Sequence, residues 1–141
     1  MTDTHSELVT LTNTDRRFYP LIGPFLGRRE VHRAVGSAVY DDDDKTWLVI
    51  VTGKRVDGFI AYRSQRGHTV AESCYIARRT PEGEDTLVRT ALVQHLIAAT
   101  APSSLRTMVP KSVMSVYTDA GFTELPQKST KNYAELVRST P

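Results

Sequence analysis

The chain has 141 residues, which suits one domain with its own hydrophobic core, and we expect a single domain over residues 1–141. Hydrophobic residues make up 40% and charged residues 24%, as in ordinary globular proteins, and the absence of a long apolar run excludes a membrane-spanning helix. The net charge of +2 does not by itself indicate a nucleic-acid-binding protein.

The predicted elements begin with a strand over Glu7–Thr12, where polar and apolar residues alternate. Tyr19-Pro20 and Gly23-Pro24 then limit the chain to short helical pieces, because proline removes a backbone donor and restricts the residue before it. A helix over Arg28–Val35 follows and ends at Gly36.

Four adjacent aspartates, Asp41–Asp44, predict a loop because like charges repel in any regular element. The run lacks the converging ligands of a hard-metal site, and we predict no metal site. Three strands of an antiparallel meander come next: Thr46–Thr52, Val56–Arg63 and His68–Ile76. The first of these is continuously apolar, which is typical of a central strand covered on both faces.

A loop over Ala77–Asp85 leads into the most regular amphipathic helix, Thr86–Thr100. We predict that its buried face comprises Leu87, Val88, Ala91, Leu92, Leu96 and Ala99. His95 falls within that face and is interpreted as a core histidine. The remaining predicted elements are a strand at Ser104–Val109, a short helix at Pro110–Asp119, and closing strands at Phe122–Leu125 and Asn132–Val137.

This order of elements resembles the Gcn5-related N-acetyltransferase (GNAT) superfamily. The family's tail commonly has a tyrosine shortly before a Gly-Phe pair, as Tyr117 stands before Gly121-Phe122 here, and Glu72–Ile76 is similar to the end of the family's fourth strand. The resemblance covers Glu7–Val137. It implies an α/β (α+β) fold: a mixed, mostly antiparallel sheet with flanking helices and one splayed parallel strand pair.

The resemblance also implies an N-acyltransferase that uses acetyl-CoA or another acyl-CoA as co-substrate and an amine as acceptor. In such a fold the gap between the splayed strands exposes backbone groups to the thioester, and the start of the long helix can hold a pyrophosphate. The implied cofactor-binding residues are Ile76, Ala77, Arg78, Arg79, Gly83, Glu84, Asp85, Thr86 and Ser112.

The expected phosphate loop departs from the family pattern. The stretch Arg79–Asp85 has one glycine and three carboxylates, although glycine allows backbone to approach a phosphate and carboxylates repel it. Arg78 and Arg79 either grip phosphate with their side chains or neutralise the neighbouring carboxylates. A non-catalytic module that kept the fold and lost the cofactor is therefore one alternative.

Two residues are candidates for acid–base chemistry. The resemblance makes Tyr117 a general acid that reprotonates the leaving thiolate, and a half-buried core tyrosine is the alternative. Glu72 is expected to share a side of its strand with Cys74 and Ile76 and to take a proton from the amine; the alternative is an edge carboxylate paired with an arginine. Cys74 is interpreted as a buried structural cysteine.

A narrower resemblance concerns small phage-type GNAT proteins, such as the Mom DNA-modification proteins that alter adenine. It rests on Phe18–Leu26, Lys45–Trp47 and Lys131–Tyr133. It implies a DNA acceptor, with the paired basic residues contacting phosphates.

Cellular setting is predicted from the cysteine count and the first residues. A single cysteine excludes an intrachain disulfide, and residues 1–12 lack the basic and apolar regions of a secretory signal. We therefore expect a cytoplasmic protein without membrane association, and we leave open a homodimer.

Overall fold

The computed structural model of the protein describes residues 5–36 and 39–139, in which a seven-stranded sheet carries helices on both faces. All neighbouring strands of this sheet run antiparallel except one parallel pair. In chain order the elements are β1 (Ser6–Leu11), α1 (Phe18–Leu26), α2 (Arg29–Val35), β2 (Thr46–Thr52), β3 (Arg55–Gln65), β4 (His68–Ile76), β5 (Arg79–Thr80), β6 (Gly83–Glu84), α3 (Thr86–Thr100), β7 (Leu105–Pro110), α4 (Met114–Asp119), β8 (Thr123–Glu124) and β9 (Tyr133–Arg138).

The strand order in the sheet is β1-β2-β3-β4-β7-β9-β8. The predicted meander of β2, β3 and β4 is confirmed, and α3 connects β4 to its parallel neighbour β7. The bounds predicted for β2, β4 and α3 agree with those observed. β2 is a continuous apolar run, β4 alternates, and α3 is a long segment without glycine or proline, and turn residues bound all three, which is why local pattern sufficed to place them.

Two hydrophobic cores lie on opposite faces of the sheet. On one face, α1 and α2 pack on alternate residues of β2 and β3, and Trp47 lies 5.4 Å from Phe18 and 5.6 Å from Phe59 between ring centroids. On the other face, α3 and α4 pack on the intervening residues, which include Leu48 and Ile60. Because both faces of β2 are covered, its sequence is continuously apolar, as predicted.

The first helix differs from the prediction of short pieces, since α1 is one helix of nine residues with Pro24 inside it. Pro20 lies in the first turn, where a backbone N–H has no intrahelical partner anyway. Pro24 removes one further hydrogen bond. Complete burial of Phe18 and Ile22 against the sheet offsets this loss.

The buried face of α3 is rotated from the predicted one. Its buried residues are Val88, Arg89, Leu92, Val93, Leu96 and Thr100. Leu87 is 79% exposed and His95 is exposed, so the interpretation of His95 as a core histidine was wrong. Several rotations of α3 about its own axis would bury apolar residues. The observed rotation is the one that places Arg89 inside the protein.

Two predictions about the connections were also wrong. The loop before α3 contains a two-stranded hairpin, β5–β6. Pro110 ends β7 instead of beginning a helix, and a 3-10 turn at Lys111–Val113 precedes the shorter helix α4. Proline has no N–H to donate, and the end of a strand tolerates that loss as well as the start of a helix does.

Candidate active site

The parallel strands β4 and β7 separate partway along their length. Their paired stretch has three register positions and ends where Ala71 lies opposite Thr107. There the Thr107 hydroxyl donates a hydrogen bond to the carbonyl oxygen of Ala71 at 2.9 Å. Beyond this point β4 and β7 continue without pairing to each other. We call the unpaired region between residues 72–76 and 108–110 the open seam.

A bulge in β4 accompanies the separation and changes the face of the sheet on which the following side chains lie. Ser73 has a left-handed backbone with φ of 59°, and the register with β3 shifts at this point. Glu72 pairs with Ala61, a residue of the α1–α2 core, whereas Cys74 and Ile76 pack against the α3 core. The expectation that Glu72 shares a side with Cys74 and Ile76 was therefore wrong, because the bulge inserts one residue into the alternation.

Glu72 lies between two cations at the edge of an open pocket. Its carboxylate is 3.4 Å from Lys45 Nζ and 3.7 Å from Arg63 Nε, and the Lys45 side chain is only 3% exposed. The pocket, about 470 Å³, lies on the side of α2, and we call it the Glu72 pocket. Its polar lining residues are Gln65, His68, Glu72, Ser73, Arg106, Thr107 and Glu135. The ion pairs match the structural interpretation of Glu72, while the pocket leaves its carboxylate accessible.

Tyr117 lies on the opposite face of the sheet in a polar cluster within the α3 core. Its hydroxyl is buried and accepts a hydrogen bond from Arg89 Nη1 at 3.3 Å. The same Nη1 lies 3.3 Å from Cys74 Sγ, directly after the bulge. Arg89 is held by Glu84, whose two oxygens lie 2.7 and 3.0 Å from Nε and Nη2. The cluster therefore links α4, α3 and the first residue of β4 beyond the bulge.

Burial favours the protonated forms of Tyr117 and Cys74 within this cluster. Burial, followed by the nearby Cys74, raises the pKa of Tyr117 well above its ordinary value, although Arg89 opposes this shift. Burial also raises the pKa of Cys74, again opposed by Arg89. A protonated phenol is the form that a proton donor needs. A protonated thiol is a poor nucleophile, which favours the structural interpretation of Cys74.

The N-terminus of α3 is capped by the side chain of the residue that precedes the helix. The Asp85 carboxylate accepts a hydrogen bond from the Leu87 N–H at 2.9 Å and lies 3.2 Å from Arg78 Nε. The N–H of Asp85 donates to the carbonyl of Arg78 at 3.0 Å, and the N–H groups of Ala77 and Arg78 both donate to the carbonyl of Asp57 at 2.9 Å. Four backbone donors around this helix start are thus used within the protein.

A second pocket, about 530 Å³, lies between the start of α3 and the segment that leads into α4, and we call it the Ser112 pocket. Its lining residues are Thr80, Glu82, Glu84, Asp85, Thr86, Leu87, Ser112, Val113, Ser115 and Val116. Four of the predicted cofactor-binding residues, Glu84, Asp85, Thr86 and Ser112, are brought together there. Ile76 and Ala77 lie at the end of β4 beside the open seam.

The remaining predicted residues lie outside this pocket. Arg79 and Gly83 are exposed in the β5–β6 hairpin, and Arg79 pairs with Glu84 in its register. Arg78 is half exposed and its guanidinium is paired with Asp85. Of the two interpretations of these arginines, the one in which they neutralise neighbouring carboxylates therefore matches the geometry of Arg78.

Sequence reasoning missed Arg89, the central residue of the polar cluster. The signal for it was present, because Arg89, Val93, Leu96 and Thr100 recur at helical spacing and mark one face of α3. An arginine on a buried face indicates a charged partner inside the protein. Which partner it finds depends on the hairpin that places Glu84 beside it, and that hairpin was not predicted.

The four aspartates before β2 do not converge. They contact four different residues: Asp41 with Tyr19, Asp42 with Lys45, Asp43 with Asn13 and Asp44 with Arg63. Within residues 5–36 and 39–139, no group of three or more His, Cys, Asp or Glu side chains is placed to hold a metal ion. In the same part of the chain, no helix is both long and apolar enough to cross a membrane.

Comparison with solved structures shows that the chain has the fold of the GNAT acyltransferases. ElaA of Escherichia coli matches with a TM-score of 0.74 at 9% identity, over 96% of this chain and 100% of that one. An acyl-CoA N-acyltransferase from Pseudomonas aeruginosa matches with a TM-score of 0.68 at 10% identity, over 96% and 100%. The aminoglycoside acetyltransferase AAC(6')-Ib, in complex with acetyl-CoA, matches with a TM-score of 0.62 at 16% identity, over 95% and 93%.

Comparisons based on sequence, unlike those based on structure, find no match. No protein-family model matches the chain, and no curated protein matches it. The narrower resemblance to phage Mom-type DNA modifiers has no support in the structural comparisons.

Proposed function

We propose that this protein transfers an acyl group from an acyl-CoA-type thioester to an amine. The observation that carries the proposal is the open seam between β4 and β7, with Tyr117 on one face of the sheet and Glu72 on the other. A thioester in the seam would meet a proton acceptor on the side of the Glu72 pocket and a proton donor on the side of α4. Structural neighbours in complex with acetyl-CoA or CoA support a donor of this class.

The proposed reaction needs two proton transfers. The amine nitrogen attacks the carbonyl carbon of the thioester, a C–N bond forms and the C–S bond breaks. Glu72 takes the proton that the amine loses, and Tyr117 gives a proton to the departing sulfur. Exchange with solvent then restores both side chains.

Arg89 orients the proposed proton donor. A guanidinium only donates hydrogen bonds, so the Tyr117 oxygen accepts from Arg89 and its own proton must point elsewhere. The Tyr117 hydroxyl also hydrogen-bonds with Cys74, the first β4 residue beyond the bulge. We propose that the phenol proton is thereby directed toward the seam.

The Glu72 pocket supports an amine acceptor. Glu72 and Glu135 present carboxylates to it, and an ammonium group is attracted to both. Arg106 and His68 line the same pocket and suit an acceptor that also carries an anionic group. We therefore propose a small amine that bears a second, acidic group.

The experiment is an acyl-transfer assay on the purified protein with acetyl-CoA and a panel of amino acids, polyamines and aminoglycosides. Free thiol release is followed by a chromogenic reagent, and acylated product is identified by mass spectrometry. We expect transfer to at least one amine and its loss in Glu72→Gln. Transfer no faster than the uncatalysed reaction across the whole panel would contradict the proposal.

A further inference from the structure

The start of α3 is the place in this fold where a diphosphate is expected, because free N–H groups and the helix dipole attract anions. Here the N–H groups of Asp85, Leu87 and Val88 are already bonded within the protein, which leaves the Thr86 N–H as the unbonded donor of the first turn among the described residues. The capping side chain is also largely buried, since Asp85 is 9% exposed and paired with Arg78. A diphosphate would have to displace a carboxylate that already occupies this position.

The described side chains that line the adjacent Ser112 pocket include carboxylates and no cation. Glu82, Glu84 and Asp85 all line the Ser112 pocket, and the described residues lining that pocket include no arginine, lysine or histidine. Carboxylates and phosphates carry charge of the same sign and repel each other. The two arginines beside these carboxylates are already engaged, since Arg78 contacts Asp85 and Arg89 contacts Glu84.

The seam has none of these obstacles. Its edges are backbone of β4 and β7 that lack each other as partners, and the protonated Tyr117 hydroxyl belongs to the cluster beneath it. The residues present therefore fit the thioester end of an acyl-CoA and do not fit its diphosphate.

We propose that this protein recognises its donor through the acylated pantetheine arm alone, and that Asp85 excludes the diphosphate from the start of α3. The inference rests on the proposed acyl-transfer function and specifies its donor. An acyl thioester on a pantetheine arm, without the nucleotide, is then as good a donor as the full acyl-CoA.

The test compares binding of three probes by titration calorimetry: CoA, pantetheine and 3′-phosphoadenosine 5′-diphosphate. We expect dissociation constants for CoA and pantetheine within about 3-fold of each other and no binding of the nucleotide. Binding of CoA about 30-fold or more tighter than pantetheine overturns this inference and leaves the acyl-transfer proposal standing. Failure of both CoA and pantetheine to bind overturns both.

A variant isolates the role of Asp85. Asp85→Asn keeps a capping oxygen for the Leu87 N–H and removes the charge, so α3 stays capped. We expect CoA to bind about 3- to 10-fold tighter to this variant, with the gain reduced by added salt, and pantetheine affinity to be unchanged. The matched control is Glu30→Gln, which removes one exposed carboxylate from α2 on the other face of the sheet. Equal changes for CoA and pantetheine, or no change for CoA, would show that Asp85 does not exclude the diphosphate.

Discussion

At the scale of single residues, the proposed role of the Tyr117 hydroxyl as a proton donor can be tested directly. Tyr117→Phe keeps the buried ring and its edge-on contact with Phe122, at 5.6 Å between centroids. If the phenol donates the proton to the leaving sulfur, we expect turnover to fall by about 10²–10⁴-fold while donor affinity is unchanged. Steady-state kinetics with the best amine, together with calorimetric donor binding, measures both quantities.

The control for this variant is Tyr62→Phe, which removes another hydroxyl from the same core without touching the cluster. Both variants should keep the wild-type circular dichroism spectrum. Equal turnover by Tyr117→Phe and Tyr62→Phe would show that Tyr117 is a core tyrosine and not the proton donor.

The same cluster predicts how stability depends on pH. Burial raises the pKa values of Cys74 and Tyr117 above their ordinary values of 9.0 and 10.0, so the unfolded chain releases both protons at lower pH than the folded chain. Above those ordinary values the unfolded state binds fewer protons, and the free energy of unfolding falls with a slope of up to about 1.4 kcal/mol per pH unit for each group. The stabilisation is fully present below about pH 8.

Urea denaturation from pH 7 to 11 measures this slope. We expect Cys74→Ala/Tyr117→Phe to lose stability less steeply than the wild type in the alkaline range, whatever its stability at pH 7. Parallel curves for the two proteins would mean that neither group is responsible for the alkaline loss.

At the scale of elements, the end of α2 is fixed against β9 by a glycine. Gly36 has φ of 96°, and a Cβ atom there would lie 2.6 Å from the Tyr133 ring. We expect Gly36→Ala to lower the free energy of unfolding by about 1–2 kcal/mol for the left-handed backbone and a further 1–3 kcal/mol for the overpacking. Chemical denaturation gives the total.

Gly53→Ala separates these two contributions, since Gly53 has φ of 62° and no neighbour within 4 Å of an added Cβ. It should show the backbone penalty alone. In a Tyr133→Ala background the excess penalty at Gly36 should disappear, and an excess that persists would mean that the ring is not its cause.

At the scale of the whole molecule, the sheet is two paired halves that meet at a partly unpaired boundary. We expect hydrogen exchange at residues 73–77 and 108–110 to slow when a saturating donor, CoA or pantetheine, is added, because the ligand occupies the open seam. Leu48–Ile50, paired on both sides within the sheet, should not change. Slower hydrogen exchange only around the pocket lined by Arg16, Arg17 and Lys54 would indicate that the donor binds there and not in the seam.

Much of the architecture could be predicted from the sequence. The bounds of β2, β4 and α3 follow from local sequence pattern, and the order of elements led to the GNAT fold that the structural comparisons show. That Tyr117 and the loop before α3 belong to one site is implied by the family resemblance and not by spacing. Their roles in binding and catalysis stay predictions.

Contacts between distant segments account for what could not be predicted. The alternation of β4 placed Glu72 with Cys74, and only the pairing with β3 reveals the bulge at Ser73 that puts them on opposite faces. The apolar composition of α3 did not fix its orientation, which depends on Glu84 reaching Arg89 from the hairpin.

The sequence by itself determined the main strands, the long helix α3 and the acidic character of the loop before it, because propensity, periodicity and charge are local properties of the chain. The tertiary structure decided which side chains meet. It placed the Tyr117 hydroxyl against Arg89, and it brought Glu84 of the hairpin to the same arginine. Burial, pairing and pKa all depend on neighbours that are remote in sequence, so these features of the site arise only when the sheet and helices pack together.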